Sequence, residues 1–398
     1  MEEKYFELLN QELKNQPRAI PFLLIDLDRL DQNIETLNSS IHPNIDFRIV
    51  VKSLPSPELI NYVMQKANTK KLMVFHQPFL SHLSKIQDHS VDILLGKPMP
   101  VKTAEYYYQT LETPNGFFPT KQLQWLMDTV QRVEQYIFLA KKIKQKLRLN
   151  LEIDVGLRRG GFAKMNDLKK VFQLIQNNLE QVEFSGFMGY DPHVVKLPRV
   201  IMSKEKALNK ANDFYRECID LLKNEFPELF HEQLTFNGAG SPTVELHQNK
   251  NTPLNDISAG SCLVKPTTFD ISTLKKYVPA SFIATPILKK MEGTIIPGIE
   301  KMKGLLNFFN KKNRQSYFIY GGFWKADYCY PKGISENELY GSSTNQMMIN
   351  SSAKQDLQVD DFIFLRPQQS EFVFLQFGKI LTLRNGKVNG KFSLLSQC

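Results

Sequence analysis

The architecture this sequence predicts is α/β: a (β/α)8 barrel with a C-terminal β-rich domain. Three observations predict it. Between residues 46 and 260, short apolar or β-branched runs alternate with longer amphipathic ones, the rhythm of repeated βα units. The strand-like runs number eight, the count of a closed (β/α)8 barrel, in which chemistry sits at the C-terminal ends of the strands. After residue 275 the long helices stop and β runs follow one another. A chain of 398 residues is too long for one small core, which agrees with a barrel plus an appendage. The expected boundaries are 20–275 for the barrel and 276–398 for the β domain, with residues 1–19 packed near the latter.

In chain order, the predicted barrel strands are FRIVV (47–51), KLMVF (71–75), VDILL (91–95), QLQWLM (122–127), LNLEID (149–154), VEFSGFM (182–188), LTFNG (234–238) and the weaker LNDIS (254–258). Between them lie stretches such as TVQRVEQYIFLAKKIKQKL, whose apolar residues recur every three or four positions, as on one face of a helix. The β runs of the second domain are SFIAT, SYFIYGG, QMMINS, DFIFL, EFVFLQF and KILTL. The polar stretch GIEKMKGLLNFFNKKNRQS (298–316) reads as a surface insertion.

Composition bounds the class. Hydrophobic residues make up 42 %, aromatics 11 % and charged residues 23 %, the mixture of an ordinary globular protein. The net charge of +9 is spread at helix-like spacing rather than gathered in a basic, aromatic-interleaved run, which argues against nucleic acid as a partner. Cysteines fall at 218, 262, 329 and 398 with no metal or redox spacing, as in a reducing compartment. The first stretch, MEEKYFELLNQELKNQ, is acidic and amphipathic and lacks the pattern of a signal peptide, and no run of eighteen apolar residues suggests a membrane span. The expectation is a cytoplasmic enzyme.

In a barrel, the residues just after each strand face one mouth. Here they are Lys52, His76, Lys97, Asp128, Asp154 with Arg159, Tyr190 with His193, the run Gly238 to Thr243, and Ser258 to Ser261. The glycine turns NGAGSPT (237–243) and SAGS (258–261) follow strands seven and eight, where barrels hold a phosphate on backbone N–H groups. A lysine at a strand end is partly desolvated, which frees its amine for a Schiff base. Two lysines compete for that role, Lys52 and Lys97 in LLGKPMP, and residue type alone does not choose between them. A phosphate cradle and a Schiff-base lysine together are what pyridoxal 5'-phosphate requires.

On these motifs the chain resembles the fold-type-III pyridoxal-phosphate enzymes (the alanine racemase N-terminal barrel superfamily). Within them it is more similar to the branch of D-threonine aldolase and D-serine dehydratase than to alanine racemase. PFLLIDLDRLDQNI (21–34) resembles the family's opening segment and FRIVVKS its lysine strand, which implies that Lys52 is the cofactor lysine. LEIDVGLRRGGF (151–162) is similar to the acidic strand and arginine turn, with Arg159 rather than Arg158 at the matching spacing. GFMGYDPHV (186–194) matches the tyrosine and histidine pair at Tyr190 and His193. The two glycine turns supply Gly238, Gly240, Ser241, Thr243, Gly260 and Ser261. The resemblance implies that Arg159 and Tyr190 bind the cofactor and that His193 shuttles a proton, for which imidazole is suited near neutrality.

One position departs from that branch. Where it offers a metal-binding histidine and, two residues on, a cysteine or aspartate, this chain reads LRPQQSEFVF, with Gln369 and Glu371 in their places. Strand alternation would set both on one face. An oxygen-only pair favours magnesium or manganese over zinc, or Glu371 serves directly as acid or base. The leading expectation is therefore a lyase for small D-configured β-hydroxy amino acids, acting by aldol cleavage or dehydration. An amino-acid racemase, with Tyr190, Tyr328 or Tyr330 on the second face, is the alternative; a non-catalytic pyridoxal-phosphate carrier fits less well, because it would lack residues 276–398. The resemblance also implies a homodimer.

Overall fold

The computed structural model describes residues 2–198, 200–248, 251–294, 298, 315–351 and 357–397. The expected insertion lies outside these apart from Gly298, Gln315 and Ser316. The chain divides into two compact units: Ile34–Cys262 with Ile271–Lys276 and Leu395–Cys398, and Met1–Asn33 with Leu263–Asp270 and Tyr277–Leu394. The first strand, β1 (Phe22–Asp26), belongs to the second of these.

The first unit is a closed parallel barrel of β2 (Asp46–Val50), β3 (Lys71–Val74), β4 (Asp92–Leu95), β5 (Leu123–Met127), β6 (Leu147–Glu152), β7 (Val182–Gly189), β8 (Thr235–Gly238) and β9 (Asp256–Ala259), with β9 returning to β2. Each of the eight strands expected from the sequence is present within a few residues of its expected place. They are legible because barrel strands are covered on both faces and read as continuous apolar runs; every residue of Leu123–Met127 is buried. The helix Met165–Gln176 buries Leu168, Val171, Phe172 and Ile175, the i, i+3, i+4, i+7 stripe of a helix on a sheet. Starts are capped: Ser56, Thr129 and Ser203 each accept a backbone N–H three residues on, and Pro57 fills the first helical position after Ser56.

Inside the barrel the N-terminal layer is polar and mostly paired, Asn150 Oδ1 being buried without a hydrogen-bond partner among the described residues. Arg48 is fully buried and donates Nε and Nη2 to the two oxygens of Asp256, both at 2.9 Å, while Nη2 also meets Asp92 at 2.7 Å. Burial opposes the charge, but Asp256 and Asp92 raise the guanidinium above its ordinary value. Asn237 Nδ2 donates to Asp256 Oδ1 at 2.5 Å and to Ser258 Oγ at 2.8 Å, and Gln124 links Asn150 to Thr235.

In the second unit, among the described residues, nine strands form one sheet: β1, β10 (Ser281–Met291), β11 (Gln315–Tyr320), β12 (Ala326–Tyr330), β13 (Ser335–Glu336), β14 (Gln346–Ser351), β15 (Phe362–Pro367), β16 (Lys379–Arg384) and β17 (Lys387–Ser393). The main order is β13-β14-β11-β10-β1-β16-β17, with β15 on β10 and β12 on β15. The helix Glu2–Lys14 lays Phe6, Leu9 and Leu13 into a core with Leu24, Phe282 and Phe364. Two expectations need correction here. The segment from residue 20, read as part of the barrel, joins this sheet, because β1 pairs antiparallel with β10 and parallel with β16. EFVFLQF is not a strand: Glu371–Phe374 is a short helix that buries Val373 and Phe374, the ambiguity a brief apolar run always carries.

Candidate active site

The C-terminal rim of the barrel gathers the expected residues of the first unit. Immediately after β2 the chain tightens into a 3-10 turn, Val51–Ser53, so Lys52 leaves the strand end sideways and is half-buried. Its Nζ stands 4.7 Å from the centre of the Phe75 ring, a cation over an aromatic face. The ring fits because Gly96 has no side chain: a Cβ there would lie 2.4 Å from Phe75 Cζ. Lys97, the competing lysine, is exposed on the adjoining rim beside His76, whose imidazole is held below its ordinary value by burial and then by Lys97.

The two glycine turns and the lysine turn form one assembly. Ser241 Oγ accepts the N–H groups of Gly260 at 3.1 Å and Cys262 at 3.0 Å, so the turn after β8 is fastened to the turn after β9. Ser261 Oγ lies 3.0 Å from Ser53 Oγ, next in sequence to Lys52. Gly260 is required by this closure, since a Cβ would stand 2.8 Å from the Val50 carbonyl oxygen and 2.9 Å from Ser53 Cβ. Gly238 packs against Leu254, and a Cβ on Gly240 would lie 2.6 Å from Tyr190 Cε2. Thr243, expected to face a cofactor, donates its hydroxyl to Asp191 at 2.6 Å.

The arginine turn after β6 separates its two arginines. Arg158 forms a loose ion pair with Asp154 at 3.6 Å, its side chain 77 % exposed, whereas the Arg159 guanidinium lies 5.1 Å over the Tyr190 ring. Asp154 is spent on the turn itself, accepting the N–H groups of Gly156 and Arg158. His193 opens a four-residue helix, His193–Lys196, and a Cβ on Gly156 would come within 3.0 Å of its Nε2. Its Nδ1 is buried and has no hydrogen-bond partner among the described residues. Burial holds the imidazole below its ordinary value, against the pull of Asp191 and Asp154.

Two groups were not singled out by sequence. Glu152, at the end of β6, is pushed up to about 7 by burial first and then by Asp128 and Asp154, with Arg159 opposing. Three carboxylates at neighbouring strand ends were the available signal. Asp191 and His247 form a buried pair, Oδ2 to Nε2 at 2.7 Å, and nothing local in VELHQNK announces it.

Gln369 and Glu371 belong to the other unit. Gln369 is exposed and Glu371 begins a helix, so the strand alternation that would have set them side by side is absent. Among the described residues no group of three or more histidines, cysteines, aspartates or glutamates is placed to hold a metal ion, and no helix is long and apolar enough to cross a membrane.

A closed parallel (β/α)8 barrel with a separate β-rich sheet unit, carrying a lysine at one strand end, is the architecture of the fold-type-III pyridoxal-phosphate enzymes. The chain belongs to the family described as alanine racemase, N-terminal domain, whose model matches residues 25–267. Its fold is similar to that of D-threo-3-hydroxyaspartate dehydratase from Delftia sp. HT23, at TM-score 0.73 and 12 % identity, covering 97 % of this chain and 100 % of that one. It is similar also to a D-threonine aldolase from Filomicrobium marinum, at 0.70 and 13 %, covering 95 % and 97 %. An alanine racemase from Bacillus anthracis follows at 0.69 and 13 %, covering 95 % and 98 %. No curated protein was found to match in sequence.

Proposed function

We propose that the protein is a pyridoxal-phosphate-dependent lyase acting on small D-configured β-hydroxy amino acids, by aldol cleavage or by dehydration and deamination. The observation that carries the cofactor reading is the closure of the Lys52 turn onto the Gly260–Ser261 turn, which leaves no room for a Cβ at Gly260 and brings an amine and two serine-bearing turns to one rim. The lyase reading is supported by the ordered likeness of the motifs to the aldolase and dehydratase branch, and by the presence of both activities among the solved structures that share the fold. When bound, the cofactor supplies the electron sink that lets a bond at the substrate α-carbon break.

The chain's own residues then have distinct tasks. Lys52 binds the cofactor and takes the α-proton on its amine. Backbone N–H groups and hydroxyls of the Gly238–Ser241 and Gly260–Ser261 turns hold the phosphate. Arg159, stacked on Tyr190, keeps the ring placed. His193, whose imidazole burial holds below its ordinary value, takes and returns a proton at the substrate face. Glu371 is assigned to the substrate β-hydroxyl on the likeness of its position alone.

The test is to add pyridoxal phosphate to the purified chain and record a visible absorption band, then to repeat with Lys52→Ala. The band is expected only with Lys52, and activity is expected to fall by at least ~10³-fold without it. A band that survives the substitution refutes the cofactor role. Incubating D-threonine, D-serine and D-3-hydroxyaspartate with magnesium, manganese or EDTA separates the reactions: aldehyde, or keto acid with ammonia, supports the lyase. Formation of the mirror-image amino acid alone replaces it with the racemase.

A further inference from the structure

The segment that carries Tyr190 and His193 meets the turn after β8 at two points. One is the Tyr190 ring lying on Gly240, where a Cβ would stand 2.6 Å from Cε2. The other is Asp191, between the two site residues, whose carboxylate accepts Thr243 Oγ1 at 2.6 Å on one oxygen and His247 Nε2 at 2.7 Å on the other. All three side chains are buried: Thr243 is 0 % exposed, Asp191 2 % and His247 2 %. A carboxylate only accepts, so Thr243 donates and His247 presents Nε2–H. His247 Nδ1 lies 2.9 Å from Thr252 Oγ1, which also accepts the Leu254 N–H at 3.4 Å.

We infer that Asp191 is a positioning residue, joining the Tyr190–His193 wall of the site to the Gly240–Thr243 turn through the buried Thr243–Asp191–His247 chain. The inference rests on the cofactor reading above. Its physical content is that Thr243 serves the phosphate turn from behind, through Asp191, rather than by touching a phosphate. The carboxylate is the centre of the chain and takes one partner on each of its oxygens. Asparagine in its place keeps one acceptor and turns an N–H toward the other partner, so the chain survives only if Thr243 turns its hydroxyl or His247 changes tautomer, either of which disturbs the contact to the turn.

The experiment compares Asp191→Asn, Thr243→Val and the double variant, each titrated with pyridoxal phosphate and read by visible absorption and visible circular dichroism. Each single change is expected to raise the cofactor dissociation constant about 10-fold or more and to weaken the dichroic band at saturation, as a displaced Tyr190 wall would. The double variant is expected to be no worse than the worse single one, because both break the same contact, and Thr243→Ser, which keeps the hydroxyl, restores affinity. Additive losses overturn the inference, because they mean Thr243 acts on the phosphate independently of Asp191. Wild-type affinity and dichroism in Asp191→Asn overturn it as well. Should Asp191→Asn not fold, Thr243→Val and His247→Asn carry the same cycle with the same readings. Failure of the cofactor reading looks different: the unsubstituted chain then shows no band at all.

Discussion

The two ends of the barrel interior treat charge in opposite ways. At the N-terminal end Arg48 is buried with every donor spent, on Asp256, Asp92 and the carbonyls of Leu72 and Asp92. Asp92, which burial alone would push up, is held below its usual range by Arg48 and Arg148. At the C-terminal rim, at the ends of β5, β6 and β7, polar groups stay unsettled. Glu152 sits at about 7, His193 is held low, and Asp128 Oδ1 and His193 Nδ1 are buried without hydrogen-bond partners among the described residues. Saturated networks hold a fold; groups left displaced from their ordinary protonation at a strand-end rim are where chemistry is placed.

The largest effect should come from the paired end. Arg48→Met takes the buried guanidinium from Asp256 and Asp92, leaving them only Lys71 and Arg148, each at 3.2 Å, and is expected to cost about 3–5 kcal/mol in urea unfolding. A loss under about 1 kcal/mol would break the comparison by showing that the lower layer is as relaxed as the rim.

At the rim, Glu152 gives a pH signature. Its folded carboxyl titrates at about 7 against an ordinary 4.5, so the folded state holds the proton more tightly than the unfolded chain does. Its contribution is present below about pH 4.5 and is lost as pH rises through about 7, a change of up to about 3 kcal/mol. Glu152→Gln should therefore lose less stability than the unsubstituted protein between pH 4.5 and 8, measured by denaturant unfolding at both values. Parallel pH slopes for the two proteins would show that the carboxyl is not held in its neutral form.

The smallest effect sharpens the contrast within one turn. Arg158, exposed and loosely paired with Asp154, should tolerate alanine with under about 0.5 kcal/mol and no more than ~2-fold change in cofactor affinity. Arg159→Ala removes the guanidinium from the Tyr190 ring and should weaken the cofactor by about 10-fold. Reversed results would exchange the roles of the two arginines.

What was legible in the chain follows from how local each signal is. FRIVV, KLMVF and VDILL announce barrel strands because burial on both faces demands mostly apolar runs, and the Arg48 and Asp92 that interrupt two of them pair with each other inside. NGAGSPT and SAGS announce themselves because a close approach needs glycine, and Gly260 shows that need against the Val50 carbonyl. EFVFLQF misled because a few apolar residues fit a helix and a strand equally well, and only the burial of Val373 and Phe374 together decides for the helix. PFLLIDL was read only as the opening segment of the barrel, and its place as a strand of the other sheet was not legible, since its partners Ile380 to Leu383 lie at the far end of the chain.

By itself, then, the sequence determined the barrel, the β-rich unit and the turns that give the rim its lysine, arginine and glycines, all set by the spacing of apolar and glycine residues over short windows. Only the tertiary structure decided that Thr243 donates to Asp191 and that Asp191 meets His247. Those outcomes depend on which strand ends become neighbours when the barrel closes, and that closure is a property of long-range pairing that no local pattern encodes.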